Sequence, residues 1–451
     1  MTAATTIAEF VAKNRWEECP PAAIDTARRA ILDTLGVMLA GSTEPAARLV
    51  HAVALREGGT PLATIVGTGH RSGTIWAALA NGTAAHAHDF DDTNFALMGH
   101  PSAPVLAAAL AAGELALATG QEVVHAFLMG FEVSVTVAGA INPAHYERGW
   151  HATSSIGTLG AAAAAARSLR LDPDQTRVAL AVAASQASGL KENFGTMTKP
   201  FHAGHAAQSG VLAALLAREG WTAAAAALDG PQGYLNVLGA GPVEWPALDT
   251  LGAPWKITTS GVAVKPYPSC ACTHSIIDQT LELRREHAIE PDAVSEVVVG
   301  VTPPVPRILI HPRPRTGLEA KFSGEFCAAA ALRDGAVGLA TFEDARVQDP
   351  ALRGLAERVR LEVDPSIPAA QETHMWTRVT IRLQDGRALS LGPREVPGHP
   401  SNPLTLGALR DKFMQCARLV MPEERADAVR QMVEALDDCP DLRSVTAVLG
   451  P

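Results

Sequence analysis

A dense run of histidine and acidic residues, HAHDFDDT, lies at residues 86–93, and a GHPS segment follows at residues 99–102. Connecting two helices requires only a glycine or an asparagine, so this many ionisable groups indicate a site that handles protons or anions. Two alternatives stay open. Asp and Thr are common helix caps and turn residues. His and Asp can also ligate zinc or iron, although three clustered carboxylates without a dispersed third histidine make a poor ligand set.

Lysine is scarce in this chain, with seven lysines among 37 basic residues, and two of them, Lys199 and Lys265, directly precede a proline. Because a residue before proline disfavours the α region, both lysines are predicted to lie on loops at element boundaries. Lys199 leads into a predicted helix whose N-terminal dipole opposes a nearby ammonium. A desolvated lysine in such a place has a lowered pKa and can act as a base or a proton donor. An ordinary surface position is the alternative for either lysine taken alone.

His151 immediately precedes residues 152–155 (ATSS), which are a helix-start signal. A histidine there can act as an acid or a base near neutral pH, or it can be a buried structural donor. Cys270 and Cys272 are too closely spaced for the common zinc or thioredoxin motifs. No G-x-S-x-G elbow and no nucleotide-binding glycine fingerprint is present, so neither serine hydrolysis nor nucleotide binding is indicated.

Composition narrows the classes of partner. The net charge of −10, without a basic stripe, argues against nucleic acid. The most apolar long segment, residues 123–141, contains His125 and Glu132, so it is interpreted as a buried core helix and no membrane association is expected. The N-terminal residues do not resemble a secretory signal, and six cysteines in 451 residues form no disulfide framework. A cytoplasmic protein with reduced thiols is expected.

Apolar periodicity predicts helices through most of the first 260 residues, where alanine is abundant and little resembles a strand. The predicted helices include Thr74–His86, 105–119, 123–141, 156–169, Pro173–Gln186, 206–219 and 276–287.

The pattern changes near Lys265. Strands are predicted at Val294–Val301, 358–363, 376–383 and Ala388–Leu391, and the Asp385-Gly386 pair between the last two indicates a hairpin. Helical spacing returns after Pro403. The fold class is therefore predicted to be mainly α. A large all-helical domain (residues 1–264) is completed by a C-terminal segment (401–451), with a smaller α+β domain (265–400) inserted between them.

Five segments together resemble the MmgE/PrpD family, although none would be specific alone. They are residues 81–93 (NGTAAHAHDFDDT), 99–102 (GHPS), 195–204 (GTMTKPFHAG), 265–274 (KPYPSCACTH) and 321–328 (KFSGEFCA). The resemblance implies a helical domain completed by the C-terminus, a smaller lid domain, a homodimer, and no metal or organic cofactor. It also implies a small polycarboxylate substrate.

The motifs also imply site residues, which in this family line one pocket between the domains. The expected catalytic residues are Asp89, His100, His151, Lys199 and Lys265, and the expected substrate-binding residues are Thr93, His274 and Ser323.

The chemistry that such residues serve is removal of a proton beside a carboxylate. The carbanion becomes an enediolate, whose extra negative charge the lysines and protonated histidines can stabilise without magnesium. His151 or His100 would be the base, oriented by Asp89. A dehydratase of the 2-methylcitrate type, or a decarboxylase, is expected. An epimerase of an aminodicarboxylate such as iminodisuccinate and a non-catalytic polycarboxylate-binding protein are the alternatives.

Overall fold

Helices make up most of the regular structure in the computed structural model, which describes residues 2–239, 248–367 and 375–451. The predicted mainly α class is therefore confirmed. The chain divides by its internal contacts into two compact units. The first unit comprises Met1–Asn193, Met197–Val264 and Thr405–Pro451, and the second comprises Phe194–Thr196 and Lys265–Leu404.

The first unit is a bundle of helices whose interior is rich in alanine, and small side chains allow helix backbones to approach closely. Its core includes Ala77, Ala108, Ala161, Ala165 and Ala207, none of which is exposed. Its helices are Ala3–Lys13, Pro21–Gly41, Pro45–Glu57, Thr74–His86, Ser102–Ala116, Gly120–Ile141, Ala144–Glu147, Ala152–Ser155, Gly157–Ser168, Pro173–Gln186, Thr198–Arg218, Tyr234–Leu238, Lys256–Thr259, Leu406–Ala417, Glu423–Glu434 and Leu442–Thr446.

The apolar helix predicted at residues 123–141 is observed as Gly120–Ile141. Within the described ranges it is the one helix long and apolar enough to cross a membrane, and 89% of its apolar window is buried inside the fold. Thr119 caps its N-terminus by accepting a hydrogen bond from the Glu122 amide, while Glu122 accepts from the Thr119 amide. All six cysteines of the chain are free.

The first unit is not all-helical as predicted. A short antiparallel pair, β1 (Ala63–Ile65) and β2 (His70–Ser72), joins two of its helices, with Thr64 opposite Arg71. Strands of three residues are too short for an alternating apolar pattern, so periodicity could not reveal them.

Two glycines bring helices Thr74–His86 and Thr198–Arg218 into backbone contact. A Cβ on Gly204 would lie 2.3 Å from the Leu79 carbonyl oxygen, and a Cβ on Gly82 would lie 2.8 Å from the Gly204 Cα. No larger side chain fits at this crossing, and the close approach fixes the relative positions of the polar residues that each helix carries near one end.

The second unit contains a four-stranded sheet in the order β4-β3-β5-β6. Its strands are β3 (Val294–Val301), β4 (Val359–Val363), β5 (Thr377–Leu383) and β6 (Ala388–Leu391). β3 pairs in parallel with β4 and antiparallel with β5, whereas β5 and β6 form the hairpin predicted at Asp385-Gly386. Gly386 has φ +89°, which a tight turn of this kind requires.

Alternate residues of β5 are buried, including Val379 and Ile381, and they pack with Val297 and Val299 of β3 into the core of the second unit. Helices His274–His287 and Gly324–Asp334 contact the strands of this sheet, and the other helices of the second unit pack around them. The helices of the second unit are His274–His287, Gly317–Ala320, Gly324–Asp334, Asp344–Val347 and Pro350–Ala356.

The glycine crossing generates a test of stability. Gly204→Ala should lower the free energy of unfolding by about 1–3 kcal/mol, because the new methyl group collides with the backbone of the facing helix. The control is Gly139→Ala in helix Gly120–Ile141, where a Cβ meets nothing within 4 Å. That variant should be neutral or stabilised by up to about 1 kcal/mol. Urea unfolding measures both changes. Equal midpoints for Gly204→Ala and wild type would show that the crossing tolerates a methyl group.

Candidate active site

His86 is the last residue of helix Thr74–His86, and the acidic run begins just beyond it. The His86 Nδ1 atom lies 2.9 Å from both carboxylate oxygens of Asp91, and both side chains are fully buried. The helix end therefore presents an imidazole held by a carboxylate five residues further along.

The position of Lys199 before a proline predicted that this lysine lies on a loop, and that prediction is wrong. It is the second residue of helix Thr198–Arg218, which begins eight residues before the predicted start at residue 206. Proline is tolerated in the first helical turn, where its missing N–H has no intrahelical partner to lose. The Lys199 ammonium thus lies at the positive end of the helix dipole, and neighbouring groups must offset the repulsion between them.

The charge of the buried Lys199 ammonium is offset by neighbouring groups, which include His86 and Asp89. Its Nζ donates to the His86 Nε2 atom at 2.8 Å and to the Asp89 Oδ1 atom at 2.9 Å. Because an ammonium has only donors, His86 must accept at Nε2 and therefore carries its proton on Nδ1, which donates to Asp91. Asp91, His86, Lys199 and Asp89 form one connected polar chain.

Asp89 and His100 lie on the loop that follows helix Thr74–His86, and His100 lies close to both carboxylates of the polar network, Asp89 and Asp91. The Asp89 backbone has φ +52°, a left-handed conformation that Asp tolerates better than most residues. The His100 Nε2 atom lies 3.6 Å from Asp89, and its Nδ1 lies 3.3 Å from Asp91. The His100 backbone amide donates to the Thr153 hydroxyl, and a Cβ on Gly99 would lie 2.9 Å from the Thr153 amide nitrogen, so the GHPS segment lies tightly against the His151 helix.

His151 is the N-cap residue of helix Ala152–Ser155, as the helix-start signal predicted. Its ring lies 5.8 Å from the His86 ring, centroid to centroid, in a stacked arrangement. Its Nδ1 is 3.0 Å from the Nδ1 of His202, which lies three residues after Lys199 on the same helix. The structure therefore brings together four predicted catalytic residues: Asp89, His100, His151 and Lys199.

The titration behaviour of the cluster follows from burial. Burial lowers the pKa of His86 to about 4, against the pull of the Asp91 charge. Burial also holds the pKa of His151 well below its usual range, with the Lys199 ammonium acting in the same direction. The pKa of His202 falls to about 4 for the same reason. Burial raises the pKa of Asp91, but His100 and His86 outweigh it, and that pKa lies well below its usual range.

Asp92 and Thr93 make hydrogen bonds that attach the acidic loop to neighbouring segments of the first unit. Asp92 accepts hydrogen bonds from the Ser102 hydroxyl at 2.5 Å and the Ser102 amide at 3.3 Å, at the start of helix Ser102–Ala116. Thr93 exchanges two backbone hydrogen bonds with Ala263, which fixes the end of the acidic run against the segment before Lys265.

A second buried lysine supports the acidic loop from the C-terminal segment. The Lys412 Nζ atom donates to the Phe90 carbonyl oxygen at 2.8 Å, lies 3.9 Å from the centroid of the Phe90 ring and pairs with Asp33 at 2.6 Å. Because Phe90 separates Asp89 from Asp91, this contact holds the backbone between the two carboxylates.

The cluster contains candidate metal ligands. One side-chain ligand atom from each of His86, Asp89, Asp91 and His100 lies within 4.8 Å of all the others. However, the Lys199 ammonium already contacts His86 and Asp89 at 2.8 and 2.9 Å. A metal ion bound through those two atoms would be strongly repelled by this fixed positive charge. The residues present therefore fit an ammonium-centred site better than a metal centre.

The remaining predicted site residues belong to the second unit. Lys265 is buried on an irregular segment, as predicted. His274 begins helix His274–His287 and donates from Nε2 to the Ser269 carbonyl oxygen at 3.1 Å. The Ser323 hydroxyl caps helix Gly324–Asp334 by accepting from the Phe326 amide at 3.1 Å. Capping is a local structural role that the motif comparison did not reveal for Ser323.

The predicted site residues did not include four residues that the structure places in or against the cluster: His86, Asp91, His202 and Lys412. Sequence signals existed for three of them, since His86 and Asp91 both belong to the run HAHDFDDT at residues 86–93. His86 ends a correctly predicted helix, and His202 follows Lys199 at helical spacing. Nothing in the local pattern around Lys412 indicates contact with a loop 322 residues away.

Comparison with known proteins covers nearly the whole chain. The profile of the MmgE/PrpD N-terminal domain matches residues 5–245, and that of the MmgE/PrpD C-terminal domain matches residues 267–438. The chain is 31% identical to cis-aconitate decarboxylase of Mus musculus over 95% of this chain and 89% of that protein. The human cis-aconitate decarboxylase is 30% identical, over 95% and 90%. That of Aspergillus terreus is 24% identical, over 96% and 93%.

Asp92 generates a test of the electrostatics of the loop. Burial raises the pKa of Asp92 to about 8, and Asp33 and Asp91 act in the same direction against the Ser102 hydrogen bond. An unfolded Asp titrates near a pKa of about 3.9. Between about pH 4 and pH 8 the folded protein therefore holds a proton that the unfolded chain has lost, so this group lowers stability as pH rises. Asp92→Asn should remove the decrease in the free energy of unfolding that this carboxyl causes as the pH rises.

The measurement is urea unfolding of both proteins at several pH values. The stability of Asp92→Asn relative to wild type should rise steadily from pH 5 to pH 8. Asp174→Asn, at a side chain 96% exposed, is the control and should show a constant difference. A difference that is also constant for Asp92→Asn would mean that this carboxyl is ionised throughout.

Proposed function

The chain belongs to the MmgE/PrpD family, as its five motifs predicted, and from this membership we propose that it is a lyase that forms a carbanion beside a carboxylate of a small di- or tricarboxylic acid. Loss of CO2 is the outcome that we place first. The observation that supports the proposal most directly is the buried Lys199 ammonium, held between His86 and Asp89 and surrounded by further histidines.

The chemistry explains why a buried cation is useful. When a carbon–carbon bond to a carboxylate breaks, CO2 leaves and the electron pair stays on the substrate. In an unsaturated acid that pair spreads over the double bond onto a remaining carboxylate, which then bears extra negative charge. A preorganised donor at this position contributes roughly 3–4 kcal/mol to the transition state, and it contributes most where water is excluded. A proton returned to carbon completes the reaction.

Lys199 is suited to both tasks, because its ammonium stabilises the developing anion and carries a proton. The carboxylate of Asp89 and the Nε2 lone pair of His86 orient it. His100 lies within 3.6 Å of Asp89, so it is the second candidate for moving a proton. We assign these roles within the first unit.

The names of the relatives favour decarboxylation over the other outcomes. The mouse, human and Aspergillus terreus relatives are all described as cis-aconitate decarboxylases, and each alignment covers at least 95% of this chain. An unsaturated tricarboxylate is therefore the first substrate class to test. Dehydration and epimerisation begin from a carbanion of the same kind, which forms by loss of a proton instead of CO2, and they stay as the alternatives.

Further parts of the proposal concern the second unit and the assembly. We propose that Lys265, His274 and Ser323 bind the carboxylates of the substrate, with Thr93 from the acidic loop. We also propose that the second unit acts as a lid domain, that the protein is a homodimer in the cytoplasm, and that no metal or organic cofactor takes part. Size-exclusion chromatography with light scattering tests the dimer.

The function is tested with a panel of acids in deuterated water. cis-Aconitate, citrate-like hydroxy acids and aminosuccinate-like acids are each incubated with the protein, and proton NMR follows substrate loss, product formation and C–H exchange. Decarboxylation should appear as CO2 release together with one deuterium on the product carbon. A chelator should leave the rate unchanged, because the proposed cation is the Lys199 ammonium.

Three outcomes would change the proposal. Water loss or inversion without CO2 release would replace decarboxylation by dehydration or epimerisation. A rate abolished by chelation and restored by a metal ion would overturn the metal-free site. Binding of these acids, seen as a thermal shift, with no exchange or turnover of any of them would support the non-catalytic alternative.

The role of Lys199 has its own test. Lys199→Met keeps much of the volume of the side chain but removes the charge, so kcat should fall at least about 100-fold. The control is Lys13→Met, at a side chain 64% exposed in an ion pair with Glu9, which should keep wild-type kcat. Steady-state kinetics and circular dichroism separate lost catalysis from lost folding. A folded Lys199→Met variant with normal kcat would remove the ammonium from the mechanism.

A further inference from the structure

We propose that His202 is a positioning residue that donates its Nδ1–H to His151 and thereby holds His151 as a neutral ring with its proton on Nε2. In that form His151 is an uncharged hydrogen-bond donor for the enediolate. This inference rests on the proposed function, because it takes the ligand to be a carboxylate whose negative charge grows during the reaction.

The geometry of the pair is well defined. The two Nδ1 atoms lie 3.0 Å apart, and both side chains are buried. The His151 amide donates to the Gly189 carbonyl oxygen at 3.0 Å, and the Ser154 hydroxyl donates to the His202 carbonyl oxygen at 3.1 Å. The backbones that carry the two rings are thus tied to neighbouring segments of the first unit.

Gly189 shows how closely these segments approach. Its φ is +115°, and a Cβ there would lie 2.7 Å from the Ser154 Cβ and 3.6 Å from the His202 Cγ. Only glycine satisfies both conditions. The Gly189 backbone therefore lies directly against Ser154 and beside the His202 ring.

The number of protons on the pair follows from its surroundings. Burial and the nearby ammonium of Lys199 disfavour positive charge on either ring, so both imidazoles are neutral at pH 7. A neutral imidazole carries one N–H and one lone pair. At 3.0 Å the two facing Nδ1 atoms form a hydrogen bond only if one of them is protonated and the other is not. The two rings must therefore have opposite tautomers.

Which of the two rings carries the Nδ1 proton follows from the ligand that we propose for the Nε2 atom of His151. Ionised carboxylates and enediolates are acceptors only, so a lone pair on the Nε2 of His151 would repel them, whereas an N–H would donate to them. Enzymes that form enediolates can use a neutral imidazole as a donor in this way. The shared proton then belongs to His202, and His151 accepts at Nδ1. If His151 were instead a base at Nε2, the shared proton would lie on His151.

The hydrogen bond between the two rings can have its proton on His202 or on His151, and these two possibilities predict different activities for variants of His202. Asn can replace the donor, because its amide nitrogen lies near the position of Nδ1 and carries protons. An ionised Asp can only accept, so it would force the proton onto the Nδ1 of His151. Leu offers no partner. In metal sites, changes to the groups that hold the second nitrogen of a ligating histidine cost about 10- to 100-fold, and we expect a similar loss here.

We therefore expect His202→Asn to keep kcat within about tenfold of wild type, whereas His202→Asp and His202→Leu should lose about 100-fold. The KM should change much less than kcat, because the donor acts mainly on the charge that develops in the transition state. His287→Asn, at an exposed histidine in the second unit, is the control and should be unchanged. A His202→Asp variant with wild-type kcat, or a folded His202→Leu variant with wild-type kcat, would overturn the inference.

A second measurement does not depend on turnover. The protein is labelled with 15N in its histidine rings, and the signal of His151 is assigned by its loss in His151→Gln. The wild-type spectrum should show a protonated Nε2 and an unprotonated Nδ1 on His151, and His202→Asp should reverse this pattern. A protonated Nδ1 on His151 in the wild type would overturn the proposed direction, even if the reaction class is correct. Conversely, a failed substrate panel would leave this result interpretable.

Discussion

Burial of the Lys199 ammonium is the constraint on which the rest of the first unit depends. An unpaired charge in the interior of a protein costs several kcal/mol, so a buried lysine persists only where other groups replace its lost water. Here a carboxylate and an imidazole lone pair do so. The left-handed backbone conformation of Asp89 positions its carboxylate. His86 is positioned differently, because it ends a helix that crosses the Lys199 helix at two glycines.

Burial keeps His86, His151 and His202 neutral, and the nearby Lys199 ammonium acts in the same direction. Rings that lie beside a fixed positive charge, away from water, lose their own protons first. Their tautomers are then set by their partners and not by pH: Asp91 and Lys199 determine that of His86, and the hydrogen bond between His151 and His202 determines theirs as a pair. The cluster therefore holds one buried ammonium among neutral imidazoles and does not hold several positive charges near one another.

The C-terminal segment is part of this arrangement because the acidic loop needs support from outside its own neighbourhood. The loop places two carboxylates on either side of Phe90, and their mutual repulsion would favour other backbone conformations. Lys412 holds the Phe90 carbonyl oxygen and pairs with Asp33 on helix Pro21–Gly41. The return of the chain to the first unit thus contributes to the position of the site as well as to the core.

The sequence alone determined the mainly α class, the hairpin at Asp385-Gly386 and helices such as Thr74–His86 and Pro173–Gln186, because periodicity and turn residues are local signals. Its motifs also identified the family and four of the residues that meet in the first unit. Only the tertiary structure decided that Lys199 belongs to a helix, and only it revealed His202, Asp91 and Lys412 as partners. Hydrogen bonds between residues far apart in the chain depend on how helices cross, and no local pattern records that.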